Sequence, residues 1–185
     1  MKKTIFSTLL IAIFFGLAAC GGGEETAETT DTADAVVDDG VRTIEIIGTD
    51  DMKFVVAEAA DGLVTGGQAG QNILLEGIEA APGEEIRIRL TTVSNLPPTA
   101  MSHNFAVVDL GTDLDAFIRA ALTARDNEYI SPDFEDQVIA ATDMAGNGET
   151  VTVTFTVPET TGEYDYVCSF PGHFAGGMVG KLIVQ

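Results

Sequence analysis

The run Tyr164-Asp-Tyr-Val-Cys168-Ser-Phe-Pro-Gly-His173-Phe-Ala-Gly-Gly-Met178-Val-Gly-Lys-Leu-Ile-Val places a thiol, an imidazole and a thioether on one short loop between two strand-like segments. A second imidazole comes from the distant Met101-Ser-His103-Asn-Phe. Two imidazoles, one thiolate and a weak axial thioether form the donor set of a copper site that transfers electrons. Thiolate and thioether suit Cu(I), and imidazole suits both Cu(I) and Cu(II), so the mixed set holds the ion in either state without strongly preferring one. A tetrahedral zinc site would more often use a further Cys or His in place of the methionine. His103, Cys168, His173 and Met178 are therefore the candidate ligands of one copper ion.

Residue counts sharpen this reading. The chain has two histidines and two cysteines. Both histidines fall where the metal needs them. Cys168 is the lone thiol outside the N-terminal region, which leaves no disulfide partner in the folded part. Singly, such a cysteine reads as a small buried hydrophobe and such a histidine as a satisfied polar group; together they read as ligands. A copper enzyme such as a nitrite reductase or an oxidase needs a further metal centre with its own histidines, and none remain. No Ser-His-Asp or paired-carboxylate arrangement stands out. A copper chaperone or storage protein, the competing function, would show several Met or His ligands in an open site, whereas the five methionines here include the initiator and are scattered.

The elements that must position these ligands read as strands. Ile44 and Ile46 begin an alternation near Val41. Ile86, Ile88 and Leu90 then alternate with Arg87, Arg89 and Thr91, and Val151, Val153, Phe155 and Val157 with Thr152, Thr154 and Thr156. Period-two patterns of this kind are antiparallel-sheet signals. Pro82-Gly83, Pro97-Pro98, Asn147-Gly148 and Thr161-Gly162 punctuate them with turns, which favours a sandwich. One segment differs: Leu114, Phe117, Ile118, Ala121 and Leu122 recur at helical spacing behind Asp113, with Asp115 in the first turn. Residues 60–71 are rich in Gly and Ala and are assigned to a loop. The expectation is an all-β sandwich with one short inserted helix over residues 41–185.

The N-terminus reads as an export signal: Lys2 and Lys3, an apolar stretch from Ile5 to Ala19, then Leu17-Ala18-Ala19 directly before Cys20. The stretch is too short for a hydrocarbon core that needs about 20 apolar residues. Leu-Ala-Ala-Cys resembles the lipobox of bacterial lipoproteins, which implies cleavage after residue 19 and acylation of Cys20, with anchoring of about 0.8 kcal/mol per buried methylene. Residues 20–40 carry Glu24, Glu25, Glu28, Asp31, Asp34, Asp38 and Asp39 and no basic residue, the composition of a flexible tether. Loss of Lys2 and Lys3 deepens a formal charge of −20 to −22. Such acidity excludes nucleic-acid binding, which relies on Lys and Arg at phosphates. It fits solubility, a salty habitat or a basic partner.

The ligand run resembles the cupredoxins, and most closely their azurin and auracyanin branch. The resemblance extends from Gly48-Thr-Asp-Asp-Met52 through Asn95-Leu-Pro-Pro, Met101-Ser-His103-Asn104 and Ile130-Ser-Pro-Asp to the C-terminus. It implies a Greek-key β-sandwich with the metal buried at one end, His103, Cys168 and His173 as strong ligands and Met178 as the long axial one. It also implies that Asn104 and Ser169 tie the two ligand-bearing segments together and tune the thiolate; for Ser169 ordinary turn capping is an equal reading. Azurins have glycine where this chain has Ser102, and their second histidine lies one residue closer to the axial methionine. Both departures favour a four-ligand site. An electron carrier of this kind docks through an apolar patch around its second histidine, here Met52, Leu96, Ala100, Met101, Phe170, Pro171 and Phe174; for Phe170 and Met101 core packing is a nearly equal reading. The implied partners are redox proteins such as c-type cytochromes or terminal oxidases, met transiently by a carrier lipid-anchored on the periplasmic face of a bacterial membrane.

Overall fold

The structure is a computed structural model that describes residues 39–185. The export segment, Cys20 and nearly all of the acidic tether lie outside the described residues. The elements in chain order are β1 (Arg42–Thr49), β2 (Phe54–Val56), β3 (Leu63–Ala69), β4 (Asn72–Ala80), β5 (Glu85–Val93), β6 (Ala106–Val108), α1 (Leu114–Ala121), β7 (Val138–Ala141), β8 (Thr150–Thr156), β9 (Gly162–Val167) and β10 (Val179–Val184). Two short 3-10 turns lie between α1 and β7.

Alternation drives the architecture. In β5 every second side chain, Ile86, Ile88 and Leu90, has no exposure at all, while Arg87 and Arg89 face outward. Register places Ile86 beside Phe155, Ile88 beside Val153 and Leu90 beside Val151 of β8. The hydrogen-bonded path runs β7-β6-β9-β10-β4-β2-β1-β5-β8, with β3 added on β4. One buried cluster joins Ile44, Ile46, Ile88 and Phe155 to Phe105, Tyr164, Tyr166 and Leu182 from the far part of that path. The path therefore folds over and its halves face each other across one core, the Greek-key β-sandwich expected. Each fully buried Ile or Leu contributes about 1.5–3 kcal/mol. Tyr164 adds a corner lock by donating its hydroxyl to the Thr160 carbonyl at 2.8 Å, a device of Greek-key sandwiches.

The strands are not all antiparallel. β1 runs parallel to β5 and β4 runs parallel to β10. Alternation reports that one face is buried and carries no information on strand direction, so this could not be read from the pattern. The segment assigned to a loop is also different: residues 63–69 form β3, an antiparallel hairpin partner of β4. Register shifts at Val64/Thr65 and Thr65/Gln68 break the two-residue period there, and the backbone pairing holds regardless. Gly70, at φ +66, opens the two-residue turn between Ala69 and Asn72.

The inserted helix forms as expected. Asp113 caps it by accepting from the Ala116 amide at 3.0 Å. Phe117 and Ala121 are buried, and Phe117 shares a second apolar cluster with Val108 and Val167, against which Phe174 and Val179 also pack. The insertion thus supports residues that flank the thiol-bearing loop. Leu122, assigned to the same apolar stripe, is 53% exposed because it caps the helix beyond its last turn.

Candidate metal centre

β9 ends at Val167 and β10 begins at Val179, so Cys168 and Met178 sit at the two mouths of one hairpin loop. The Cys168 amide donates to the Met178 carbonyl at 3.1 Å and closes that mouth. Inside the loop the Met178 amide donates to the His173 carbonyl at 3.0 Å, and the His173 amide to the Phe170 carbonyl at 3.1 Å. Three candidate ligands are thus fixed by backbone bonds alone. His103 arrives from the approach to β6, the strand paired with β9, three residues before β6 begins, and is held by reciprocal backbone bonds with Ala145 at 3.0 and 2.8 Å.

These placements bring the side chains together. Cys168 Sγ lies 3.3 Å from His173 Nδ1 and 3.9 Å from His103 Nδ1, and all three donor atoms fall within 4.8 Å of one another. An ion with bonds of about 2.0–2.3 Å to nitrogen and sulfur spans a donor triangle with edges of about 3.6 Å, so the geometry fits a metal in the middle. His103, Cys168 and Met178 have no exposure, and His173 has 2%.

The electrostatics fit as well. Burial pushes the Cys168 thiol up to about 12, against the opposing pull of the Asn104 and Phe170 backbone N–H groups. A thiolate there needs a cation in contact. Burial, reinforced by the charge of His173, lowers His103 to about 3, and burial lowers His173 to about 4. Both imidazoles are therefore neutral near pH 7, as ligation requires. His103 Nε2 is buried beside the Thr49 carbonyl without closing a hydrogen bond of full geometry.

Asn104 links the two ligand segments. Its Nδ2 donates to Ser169 Oγ at 2.8 Å and to the Glu128 carbonyl at 3.1 Å, and its Oδ1 accepts from the Ser169 amide at 2.9 Å. Ser102 donates its hydroxyl to the Pro98 carbonyl at 2.7 Å, fixing the turn that precedes His103. Of the expected docking residues, Leu96 is 44% exposed, Ala100 is exposed, and Met52, Pro171 and Phe174 are half-buried. Met101 and Phe170 do not belong to such a surface, at 7% and 8% exposure. Phe170 is wedged between the rings of Tyr129 and His173, and Met101 is drawn in by its amide bond to the Pro97 carbonyl.

Several contributors escaped the sequence reading. Gly48 lies against the His103 ring: a Cβ there would meet Cδ2 at 2.6 Å. Lys53 donates to the Gly176 carbonyl at 2.6 Å, and the Met52 side chain packs against the same glycine. Only the glycine had a signal, as a small residue in a strand where another group approaches closely. Nothing local marks Lys53.

Comparison with known proteins agrees with the site. Residues 74–185 match the model of the copper binding proteins of the plastocyanin/azurin family. Auracyanin-A of Chloroflexus aurantiacus is 31% identical over 180 residues, covering 96% of this chain and 93% of its own. Auracyanin-B of the same organism is 35% identical over 100 residues, 54% of this chain and 41% of its own, so the match spans less than half of that relative. The structure of auracyanin A, described as a "blue" copper protein, superposes with a TM-score of 0.59 at 29% identity over 79% of this chain and all of the other. A buried Cys-His-His triangle on a Greek-key sandwich thus defines a type 1 copper protein. The chain belongs to the plastocyanin/azurin family of copper-binding proteins.

Unfolded imidazoles titrate near 6.5, so on acidification the unfolded copper-free chain takes up protons that native His173 and His103 refuse until about pH 4 and about pH 3. Stability is therefore full above about pH 6.5 and falls as the pH drops toward 4. Denaturant midpoints of the copper-free protein should be lower at about pH 5 than at about pH 7.5, by a few kcal/mol in unfolding free energy; equal midpoints would mean that the imidazoles protonate freely. Gly48→Ala should displace the His103 ring, costing about 1–3 kcal/mol by thermal unfolding and weakening copper binding in titrations.

Proposed function

We propose that this chain is a membrane-tethered carrier of single electrons. The observation that carries the proposal is the buried triangle of His103, Cys168 and His173, with Met178 closing the same loop. Copper held there supplies a one-electron Cu(I)/Cu(II) couple that mixed sulfur and imidazole donors tolerate in both states. The residues do the rest. Backbone bonds fix the loop, burial excludes water, and the Asn104 side chain ties the two ligand segments, so the site need not rearrange when its charge changes. His173, the one strong ligand with residual exposure, is the natural point of electron entry and exit.

Burial also argues against a chaperone or store, since ligands with at most 2% exposure do not offer the open site that exchange requires. An enzymatic role finds no support, because a second metal centre would need histidines beyond the two already used. Leu96, Ala100 and half-buried Pro171 and Phe174 are the surface at which a c-type cytochrome or terminal oxidase would dock, in respiratory or photosynthetic transfer. Arg42, Arg87, Arg89 and Lys181 are already paired with Glu84, Asp39, Glu45 and Asp165, so carboxylates dominate what a partner meets and favour a basic one. No helix among the described residues is long and apolar enough to cross a membrane. Export and attachment rest on the N-terminal segment and acylation of Cys20, which would hold the domain on the periplasmic face.

Adding Cu(II) should give an intense visible thiolate-to-copper absorption and reversible one-electron cycling with the copper retained. Cys168→Ser should abolish the colour, and Met178→Leu should keep it while shifting the midpoint potential. A colourless copper-loaded protein would end the type 1 assignment, and loss of copper on reduction would favour the chaperone. Ala100→Asp should slow electron exchange with the partner and leave the absorption intact, and added salt should slow association with a basic partner. Transfer indifferent to both would place docking elsewhere.

A further inference from the structure

Glu128 and Tyr129 both adopt left-handed backbone conformations, with φ of 50° and 56°. A 3-10 turn over Arg125–Asn127 ends at Glu128, and one left-handed residue, usually Gly or Asn, is enough to end such an element. Here two occur in succession and neither is Gly or Asn. Glu128 is exposed, so core packing does not force it into this state, whereas half-buried Tyr129 packs against the core. Disfavoured backbone of this kind persists where neighbouring contacts over-determine it, and such places cluster at functional sites.

Local bonds hold the turn, from the Tyr129 amide to the Ala124 carbonyl at 3.0 Å and from the Ile130 amide to the Asn127 carbonyl at 2.7 Å, and the other neighbours are parts of the copper end. The Glu128 carbonyl accepts from Asn104 Nδ2 at 3.1 Å, on the side chain that also holds Ser169. Its carboxylate accepts from the Met144 amide at 2.8 Å, one residue before the Ala145 bridge that fixes His103. The Tyr129 ring packs edge-on against Phe170 with centroids 5.3 Å apart, and Phe170 packs on the His173 ring at 4.7 Å. Two adjacent residues thus touch Asn104, Met144 and Phe170, and reach Ser169 through the Asn104 side chain.

We infer that the Glu128–Tyr129 pair is a positioning element: its left-handed backbone aims one carbonyl at Asn104 and one ring at Phe170, bracing Ser169, Phe170 and His173 from outside the ligand loop. Asn104 cannot satisfy both of its amide hydrogens on Ser169 alone, and the Glu128 carbonyl takes the second. If the pair relaxed to ordinary φ, that carbonyl would turn away and the ring would leave Phe170. The copper centre would then lose geometric definition without losing a ligand. This rests on the copper reading given above.

The test compares variants of the copper-loaded protein. Glu128→Val places a β-branched side chain at a φ it disfavours, whereas Glu128→Gly keeps both the conformation and the carbonyl. The Val variant should shift the thiolate-to-copper band and the midpoint potential and speed hydrogen exchange at the Ser169 amide in the Cu(I) form. The Gly variant, which loses only the carboxylate's bond to the Met144 amide, should shift both band and potential by less than the Val variant. A Val variant with the parent's band, potential and exchange would overturn the proposal. If Glu128→Val does not fold, Tyr129→Leu decides: a shifted potential supports the brace, and an unchanged one overturns it. Absence of the blue band in the parent protein would instead overturn the copper reading itself.

Discussion

A thiol with no access to water can carry a negative charge only beside a cation, and the copper end of this molecule is organised around that constraint. Burial pushes the Cys168 thiol up to about 12 even with two backbone N–H groups aimed at it, which offset only part of the penalty. The site therefore holds a sulfur that favours a metal and resists water. The two neighbouring imidazoles, kept neutral by the same burial, have their lone pairs free to share the ion. Neither could compensate the thiolate by taking a proton near neutral pH.

The fold meets this demand with strand ends. Cys168 and Met178 cap β9 and β10, whose register from Val167–Val179 to Gly162–Val184 sets the loop's width. His103 comes from the approach to β6, which itself pairs with β9. The candidate ligands thus belong to segments already locked to each other by ladder bonds, and little of their placement depends on flexible side-chain choices. Asn104 repeats the link through its amide, and α1 fills the space beneath Val167, Phe174 and Val179. A rigid, dry centre is what a carrier needs if each electron is to arrive and leave without atoms moving far.

Much of this was legible in the amino-acid order. Thiol, imidazole and thioether on one loop, and the scarcity of histidine, pointed at the ligands because donor chemistry is local. Alternation exposed β1, β5 and β8, and Asp113 announced the helix, because burial and capping are also local. The parallel pairings of β1 with β5 and β4 with β10 were not legible, since they arise from how distant segments return. β3 stayed hidden because its register shifts erase the period that would reveal it. Met101 and Phe170 could be read as surface or as core from the sequence, and both are buried, Phe170 between two rings. Glu128 and Lys53 act through contacts spanning 24 and 123 residues, which no short pattern encodes.

The irregular β3 has a consequence for crowding. Within the described sheet it pairs only with β4, so its outer side presents unpaired backbone groups, the kind of border onto which a second molecule can add a strand. Its bulges and Gly66 and Gly67 interrupt the even spacing of amides that such an addition would copy. A neighbouring copy would find no straight strand to extend at this border.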